Sequence, residues 1–217
     1  QEIYSIDECF LDFDGVPGDP RDPNGTQVRF DKGDGTLSVL EVGHARNIEG
    51  ALSKFALGAW RYSSRFDDLR DTGAAGEPLQ RVNSGFYVLA QRSLYRPAGE
   101  PERGLNGFVR LGSAQAHVNQ LDFSAAFGAA YTGLLAQRPE DVFGFGVAAV
   151  KNGSKFRDVA RANGELAPSW EIAYEITYRA QLKPWLALQP VLEYVSYSGD
   201  AQAKNATIAG LRLEANY

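Results

Sequence analysis

Within the last residues of the chain, 207–217, apolar and polar residues alternate from Ala209 onward, and this pattern constrains the fold more than any other feature. From Ala209 onward the odd positions carry Ala, Leu, Leu, Ala and Tyr, and the even positions carry Gly, Arg, Glu and Asn. A side-chain period of two predicts a β-strand with one apolar and one polar face. An exposed terminal strand that ends on an aromatic residue would promote aggregation in water. In an outer-membrane barrel, the same strand closes the sheet, turns its apolar face to lipid and leaves Tyr217 at the interface.

The same alternation recurs along the rest of the chain. It predicts about ten strands of about ten residues each, a length that crosses a bilayer at a tilt of about 45°. The predicted strands are residues 1–14, 36–46, 51–63, 85–95, 105–114, 121–133, 141–151, 169–179, 186–197 and 207–217. We therefore expect an all-β protein, an antiparallel transmembrane β-barrel, with residues 1–217 in a single domain.

The connections between the predicted strands alternate in length. Long polar segments lie near residues 15–35, 64–83, 152–168 and 198–206, and shorter ones lie near 47–50, 96–103, 136–140 and 181–184. This asymmetry is typical of outer-membrane barrels, which have long extracellular loops and short periplasmic turns. The connection at 117–120 is an exception, because it falls on the long-loop side and is nevertheless short.

Composition excludes several other classes of protein. A net charge of −5 argues against nucleic acid as a partner. The single cysteine, Cys9, rules out a disulfide framework, and two well-separated histidines do not suggest a metal site. No apolar run is long enough for a transmembrane helix. No signal peptide precedes Gln1, so export requires a processed start or a chain that is a fragment. We expect no cofactor.

Three alternatives remain open at this point. A soluble sandwich or closed barrel also alternates apolar and polar residues, but strand 169–179 carries an aromatic residue near each end of its apolar face and a row of charges opposite. A barrel enzyme of the protease or lipase type would have to use His117, with Ser113, Asn119 and Asp122 nearby in the sequence. The third alternative is a structural or adhesin-like barrel without a transport role.

Several segments follow one another in an order and at a spacing that resemble a known family. They include Asp14–Pro20 followed by Gly25-Thr26, and then residues 37–42, 57–60, 85–91, 103–110, 133–141, 171–178 and 188–194. The ordered set resembles the carbohydrate-selective porins of the OprB type. The resemblance implies an outer-membrane porin of a Gram-negative bacterium that passes glucose-like sugars by facilitated diffusion, and it therefore implies no enzymatic activity.

The family that the chain resembles is generally about twice as long as this chain, and the resemblance implies a barrel of about sixteen strands. The chain looks like the C-terminal half, so it is either a fragment or a short variant that closes with about ten strands. A barrel of about ten strands would be nearly filled by its own side chains, whereas a wide channel needs about sixteen. Conduction then depends on the missing strands or on a partner chain.

A sugar channel needs hydroxyl-binding groups, charges of both signs and aromatic rings, and it must bind its solute weakly enough to release it. The residues expected to line the lumen and contact sugars are Glu41, Trp60, Phe108, Arg110, Glu171, Glu175, Gln189, Glu193, Arg212 and Glu214. The alternative is that these charged side chains have no role in sugar binding and only interact with water and with one another. The expected partners are carbohydrate solutes, outer-membrane lipid and, through strand 207–217, the barrel-assembly machinery. Nucleic acid is not expected, and a homo-oligomer is left open.

Overall fold

The computed structural model of the chain describes residues 35–48, 51–200 and 202–216. Within these residues, nine antiparallel strands follow one another as neighbours in a single sheet. The strands are β1 Leu37–Ile48, β2 Ala51–Thr72, β3 Pro78–Tyr95, β4 Gly104–Ala114, β5 Leu121–Thr132, β6 Val142–Asn152, β7 Trp170–Lys183, β8 Leu186–Ser198 and β9 Ala206–Ala215. One helix, α1 Ser154–Ala162, lies between β6 and β7. The all-β antiparallel fold is therefore confirmed.

Of the ten predicted strands, nine correspond to β1–β9, although several bounds differ. The predicted strand 1–14, with Cys9, lies outside the described residues, and so do most of the loop near 15–35 and Tyr217. Every sheet neighbour is also the next strand in sequence, and β1 and β9 do not pair with each other. Over the described residues the sheet is consequently an open up-and-down wall.

The sheet has one apolar and one polar face. Directly opposed residues on neighbouring strands point to the same side, and side chains alternate between the sides along each strand. One face carries large apolar side chains that stay exposed: Leu40, Val42, Phe55, Leu57, Phe86, Val109, Leu111, Phe127, Phe143, Phe145, Tyr174, Ile176, Leu192, Tyr194, Leu211 and Leu213. Phe123 and Trp170, whose ring centroids are 6.2 Å apart, lie on this face too. These side chains do not converge on a shared dry core.

The prediction of a long loop over residues 64–83 was wrong. Strand β2 continues to Thr72 and β3 begins at Pro78, so this segment is a hairpin with a turn over residues 73–77. The pairing shifts register between Arg61 and Arg65 and again before Thr72. Since this part of the hairpin is polar on both faces, it lacks the alternation by which strands were recognised, yet its backbone still pairs.

The predicted loop over residues 152–168 contains helix α1. Its sequence, Ser-Lys-Phe-Arg-Asp-Val-Ala-Arg-Ala, is rich in good helix formers, and Arg161 lies in the last turn, where a cation is favoured by the helix dipole. No helix in the part of the chain that the structure describes is long and apolar enough to cross a membrane.

Candidate functional site on the polar face of the sheet

All ten predicted site residues lie on the polar face. A row of directly opposed residues links Glu41 on β1 to Glu171 on β7, and it runs through Gly58, Tyr87, Gly112, Ser124 and Val150. Each of the other predicted residues shares the face of this row. It lies an even number of positions along a strand from a member of the row, or it is directly opposed to such a residue. Their role in lining a lumen or contacting a sugar stays a prediction.

The register divides the ten residues into three groups. Glu41 and Trp60 lie on β1 and β2, Phe108 and Arg110 lie on β4, and the remaining six lie on β7–β9. Strands β5 and β6 separate the second group from the third. Their polar-face residues are mostly small: Ser124, Ala126, Gly128, Ala130, Gly144, Gly146 and Ala148.

The group on β7–β9 combines acidic and basic side chains. Glu175 and Glu193 are directly opposed across β7 and β8, and Gln189 is directly opposed to Arg212 across β8 and β9. Glu214 is paired with a further residue, because its carboxylate lies 2.9 Å from Nη2 of Arg179. This part of the face therefore carries four carboxylates, of Glu171, Glu175, Glu193 and Glu214, beside the guanidinium groups of Arg179 and Arg212, so both signs are present and acidic side chains predominate.

On β4, Phe108 and Arg110 are two residues apart on the same face. The guanidinium carbon of Arg110 lies 5.4 Å from the centroid of the Phe108 ring, within the range of a cation–π contact. The pair presents a flat apolar surface beside a hydrogen-bond donor, next to the small residues of β5.

Four aromatic side chains lie near one another on the polar face of β2 and β3 and are here called the aromatic ribbon: Tyr87, Trp60, Tyr62 and Phe66. The ring centroids of Trp60 and Tyr62 are 6.0 Å apart, and those of Tyr62 and Phe66 are 5.3 Å apart. The Tyr87 hydroxyl donates to Glu41 Oε2 at 2.6 Å. A carboxylate acceptor thus lies beside one end of the ribbon.

The other end of the ribbon leads to a charged cluster around Asp68. The Asp68 carboxylate is fully buried and accepts hydrogen bonds from Lys155 Nζ at 2.8 Å and from Arg81 Nε at 2.9 Å. It also accepts hydrogen bonds from the backbone N–H groups of Arg70 and Asp71. This part of the β2–β3 hairpin projects past the end of β4 at Ala114, which pairs with Gly85, and so lies beyond the strand segments that β3 and β4 share.

Ionisation of the cluster follows from these contacts. Burial by itself raises the pKa of Asp68, but the Lys155 ammonium, the two backbone N–H groups and Arg81 outweigh it and hold the pKa well below its usual range. Burial likewise lowers the pKa of Lys155, and the carboxylates of Asp68 and Asp71 more than reverse this, so the pKa of Lys155 is raised. Both groups are charged at neutral pH.

The residues that a hydrolase would need are engaged elsewhere. Ser113 Oγ donates to the backbone carbonyl of Asp122 at 3.0 Å, and Nδ1 of His117 lies 3.8 Å from the Asp68 carboxylate. Asn119 exchanges amide hydrogen bonds with Asn83. Among the described residues, no group of three or more His, Cys, Asp or Glu side chains is arranged to hold a metal ion.

Sequence reasoning missed several polar-face residues. Tyr87 and Arg179 share the phase of the predicted set, so the alternation contained their signal. Asp68 and Lys155 fell in segments interpreted as loops, and the contact between them joins parts of the chain that no local pattern connects.

An up-and-down antiparallel sheet with an exposed apolar face and a charged opposite face defines the class of the protein, which is that of transmembrane β-barrels. The model of the carbohydrate-selective porin, OprB family, matches residues 10–217, and the chain belongs to this family.

The chain is similar to Porin B of Pseudomonas aeruginosa, with 25% identity over 183 residues that cover 74% of the chain and 40% of that protein. It is also similar to the high-pH structure of Pseudomonas putida OprB, with a TM-score of 0.74 and 24% identity over 83% of the chain and 48% of that structure. The low-pH structure of the same protein gives a TM-score of 0.59 and 22% identity over 86% of the chain and 48% of that structure. At these identities the two structures support the fold alone. The chain spans about half the length of these relatives or less.

Proposed function

We propose that the chain forms part of the wall of a channel through which glucose-like carbohydrates cross the outer membrane of a Gram-negative bacterium by facilitated diffusion. The observation that carries this proposal is the polar face, which combines the aromatic ribbon with charges of both signs. It lies opposite an apolar face that remains exposed along the sheet. In a membrane, the apolar face meets lipid and the polar face meets a water-filled passage.

The chemistry of the polar face suits sugars better than ions. A pyranose has apolar C–H faces that stack on aromatic rings such as Trp60, and hydroxyl groups that exchange hydrogen bonds with carboxylates and guanidinium groups. Charges that are paired, as those of Arg179 and Glu214 are, largely cancel and attract ions less than isolated charges would. Weak contacts distributed along the face allow the solute to leave as well as to enter.

The proposal extends to residues 1–217 as a single β-barrel domain whose wall is completed by further strands. Lipid contacts the apolar face, and strand 207–217 is the signal for the barrel-assembly machinery. The ten predicted residues line the passage, and association into a homo-oligomer is compatible with this arrangement. The channel needs no covalent chemistry, so we do not assign an enzymatic activity.

The test is solute uptake into liposomes that contain the complete polypeptide to which this chain belongs. We expect liposomes to swell faster in glucose than in a neutral amino acid of similar size, because only the sugar can stack and exchange hydrogen bonds along its whole ring. Liposomes without protein provide the baseline. Equal rates for the two solutes would remove carbohydrate selectivity, and no swelling in either would remove the channel.

A further inference from the structure

Helix α1 contacts β2 although four strands lie between them in the sheet. The helix belongs to the connection between β6 and β7, and it packs against the far end of β2. Lys155 Nζ donates to Asp68 at 2.8 Å and to Asp71 at 2.7 Å, and Arg70 Nη1 donates to Asp158 at 2.7 Å. The β6–β7 connection and the far end of the β2–β3 hairpin therefore meet at this end of the sheet.

The side of the sheet on which α1 lies follows from the register. Phe66 is directly opposed to Arg81, and both share the face of Trp60 and the rest of the aromatic ribbon. Asp68 is two residues beyond Phe66, and its carboxylate accepts a hydrogen bond from Arg81. Because Lys155 reaches the same carboxylate, α1 lies over the polar face and not over the lipid-facing one.

The contact is tightly held. The exposed fraction of the side chain is 0% for Asp68 and 8% for Lys155. The connection between β4 and β5 makes hydrogen bonds near the same contact. Leu69 N–H donates to the carbonyl of His117 at 2.8 Å, and Gly153 N–H donates to the carbonyl of Gln120 at 2.8 Å. The short connection between β4 and β5 thus contacts both the β2–β3 hairpin and the residue that precedes α1.

We propose that the ion pair between Lys155 and Asp68 holds helix α1 in a fixed position over one end of the polar face. In this position the helix sets the upper size of the sugar that can pass. This inference rests on the proposed channel function. Lys155 is a positioning residue, because it contacts Asp68 and Asp71 on β2 and thereby holds α1 in place, and it does not contact the solute. Without this ion pair, the connection between β6 and β7 can move away from the polar face. The passage then becomes wider, and its width varies more.

The test compares single substitutions in the complete polypeptide. Lys155→Met removes the charge and keeps the length of the side chain, Lys155→Arg keeps the charge, and Arg161→Met removes a charge from an exposed position of the same helix. Swelling rates are measured in glucose, a disaccharide and a trisaccharide, and single-channel conductance is recorded in planar bilayers. We expect Lys155→Met to raise the disaccharide-to-glucose rate ratio several-fold towards unity, with higher and noisier conductance. Lys155→Arg and Arg161→Met should match the parent protein.

A variant in which residues 154–162 are replaced by a flexible Gly-Ser linker tests the helix independently of the ion pair. It should pass the disaccharide and trisaccharide at least as well as Lys155→Met does. Folding of each variant is checked by its strand signal in circular dichroism and by heat-modifiable migration on gels. A folded linker variant that excludes the larger sugars as the parent does would overturn the proposal. That result differs from a failure of the channel function, in which the parent itself would not discriminate glucose from the amino acid.

Discussion

The aromatic ribbon depends on two glycines that lie beneath its rings. A Cβ at position 58 would collide with the ring of Tyr87, and a Cβ at position 85 would lie 2.6 Å from ring atoms of Trp60. Each ring therefore lies across the neighbouring strand because the residue directly opposed to it has no side chain. The reciprocal arrangement lays both rings along the sheet, where a passing solute could contact them.

Replacement of Trp60 by alanine tests whether this surface matters for transport. We expect several-fold slower swelling in dilute glucose, because the sugar loses a stacking surface, and unchanged or higher ion conductance, because the passage gains volume. Phe55→Ala is the matched control, since it removes an exposed aromatic ring from the apolar face of the same strand. Equal glucose rates in the two variants would contradict a role for the ribbon.

At the scale of elements, alternation located most of the strands but not their outer ends. It works where one face meets lipid and the other meets water, as in β5, which was expected over residues 121–133 and observed as Leu121–Thr132. It fails beyond the membrane, where both faces of a hairpin can be polar, as in the part of β2 that runs to Thr72. The phase of the alternation also placed all ten candidate residues on one face, whereas the contact between Lys155 and Asp68 is long-range and left no local signal.

The connection between β5 and β6 is held by a second buried carboxylate, Asp141. It accepts hydrogen bonds from Arg138, from the Tyr178 hydroxyl and from the backbone N–H of Gln181 at 2.9 Å. Burial raises the pKa of Asp141, but these donors outweigh burial and leave the pKa below its usual value. One side chain thereby joins the turn to the neighbouring strand β7.

We expect Asp141→Asn to lower the free energy of unfolding by about 1–3 kcal/mol at neutral pH, because a buried acceptor loses its charge and one of its donors loses its partner. Since the folded pKa is depressed, the stabilisation is complete above the unfolded pKa of about 4 and is lost as the pH falls through the folded pKa. The difference between the two proteins should consequently shrink in acid. Urea unfolding in detergent micelles across this range measures it, with the exposed neighbour change Glu140→Gln as the control. A difference that is the same at neutral and acid pH would argue against the role assigned to this carboxylate.

For the whole molecule, the proposed function depends on which face of the sheet meets lipid. Ile176 and Ile208 allow a direct comparison. Ile176 lies on the apolar face, and Ile208 lies on the polar face. Ile208 is directly opposed to Glu193, and Glu193 is directly opposed to Glu175, the residue that precedes Ile176. The two isoleucines are therefore close to the same depth, and their exposed fractions are similar, 48% and 50%. They differ mainly in the face that carries them.

We expect Ile176→Arg to destabilise the complete barrel in lipid vesicles by about 2–4 kcal/mol if it lies near the bilayer midplane, because the guanidinium group must enter hydrocarbon. Ile208→Arg should cost far less, since the same group enters a water-filled passage beside the carboxylate of Glu193. Reversible unfolding in urea from vesicles measures both, and Ile→Ala at each position corrects for the lost side-chain volume. If the two arginines cost the same, or if Ile208→Arg costs more, the polar face does not meet water and the sheet cannot be the wall of a channel.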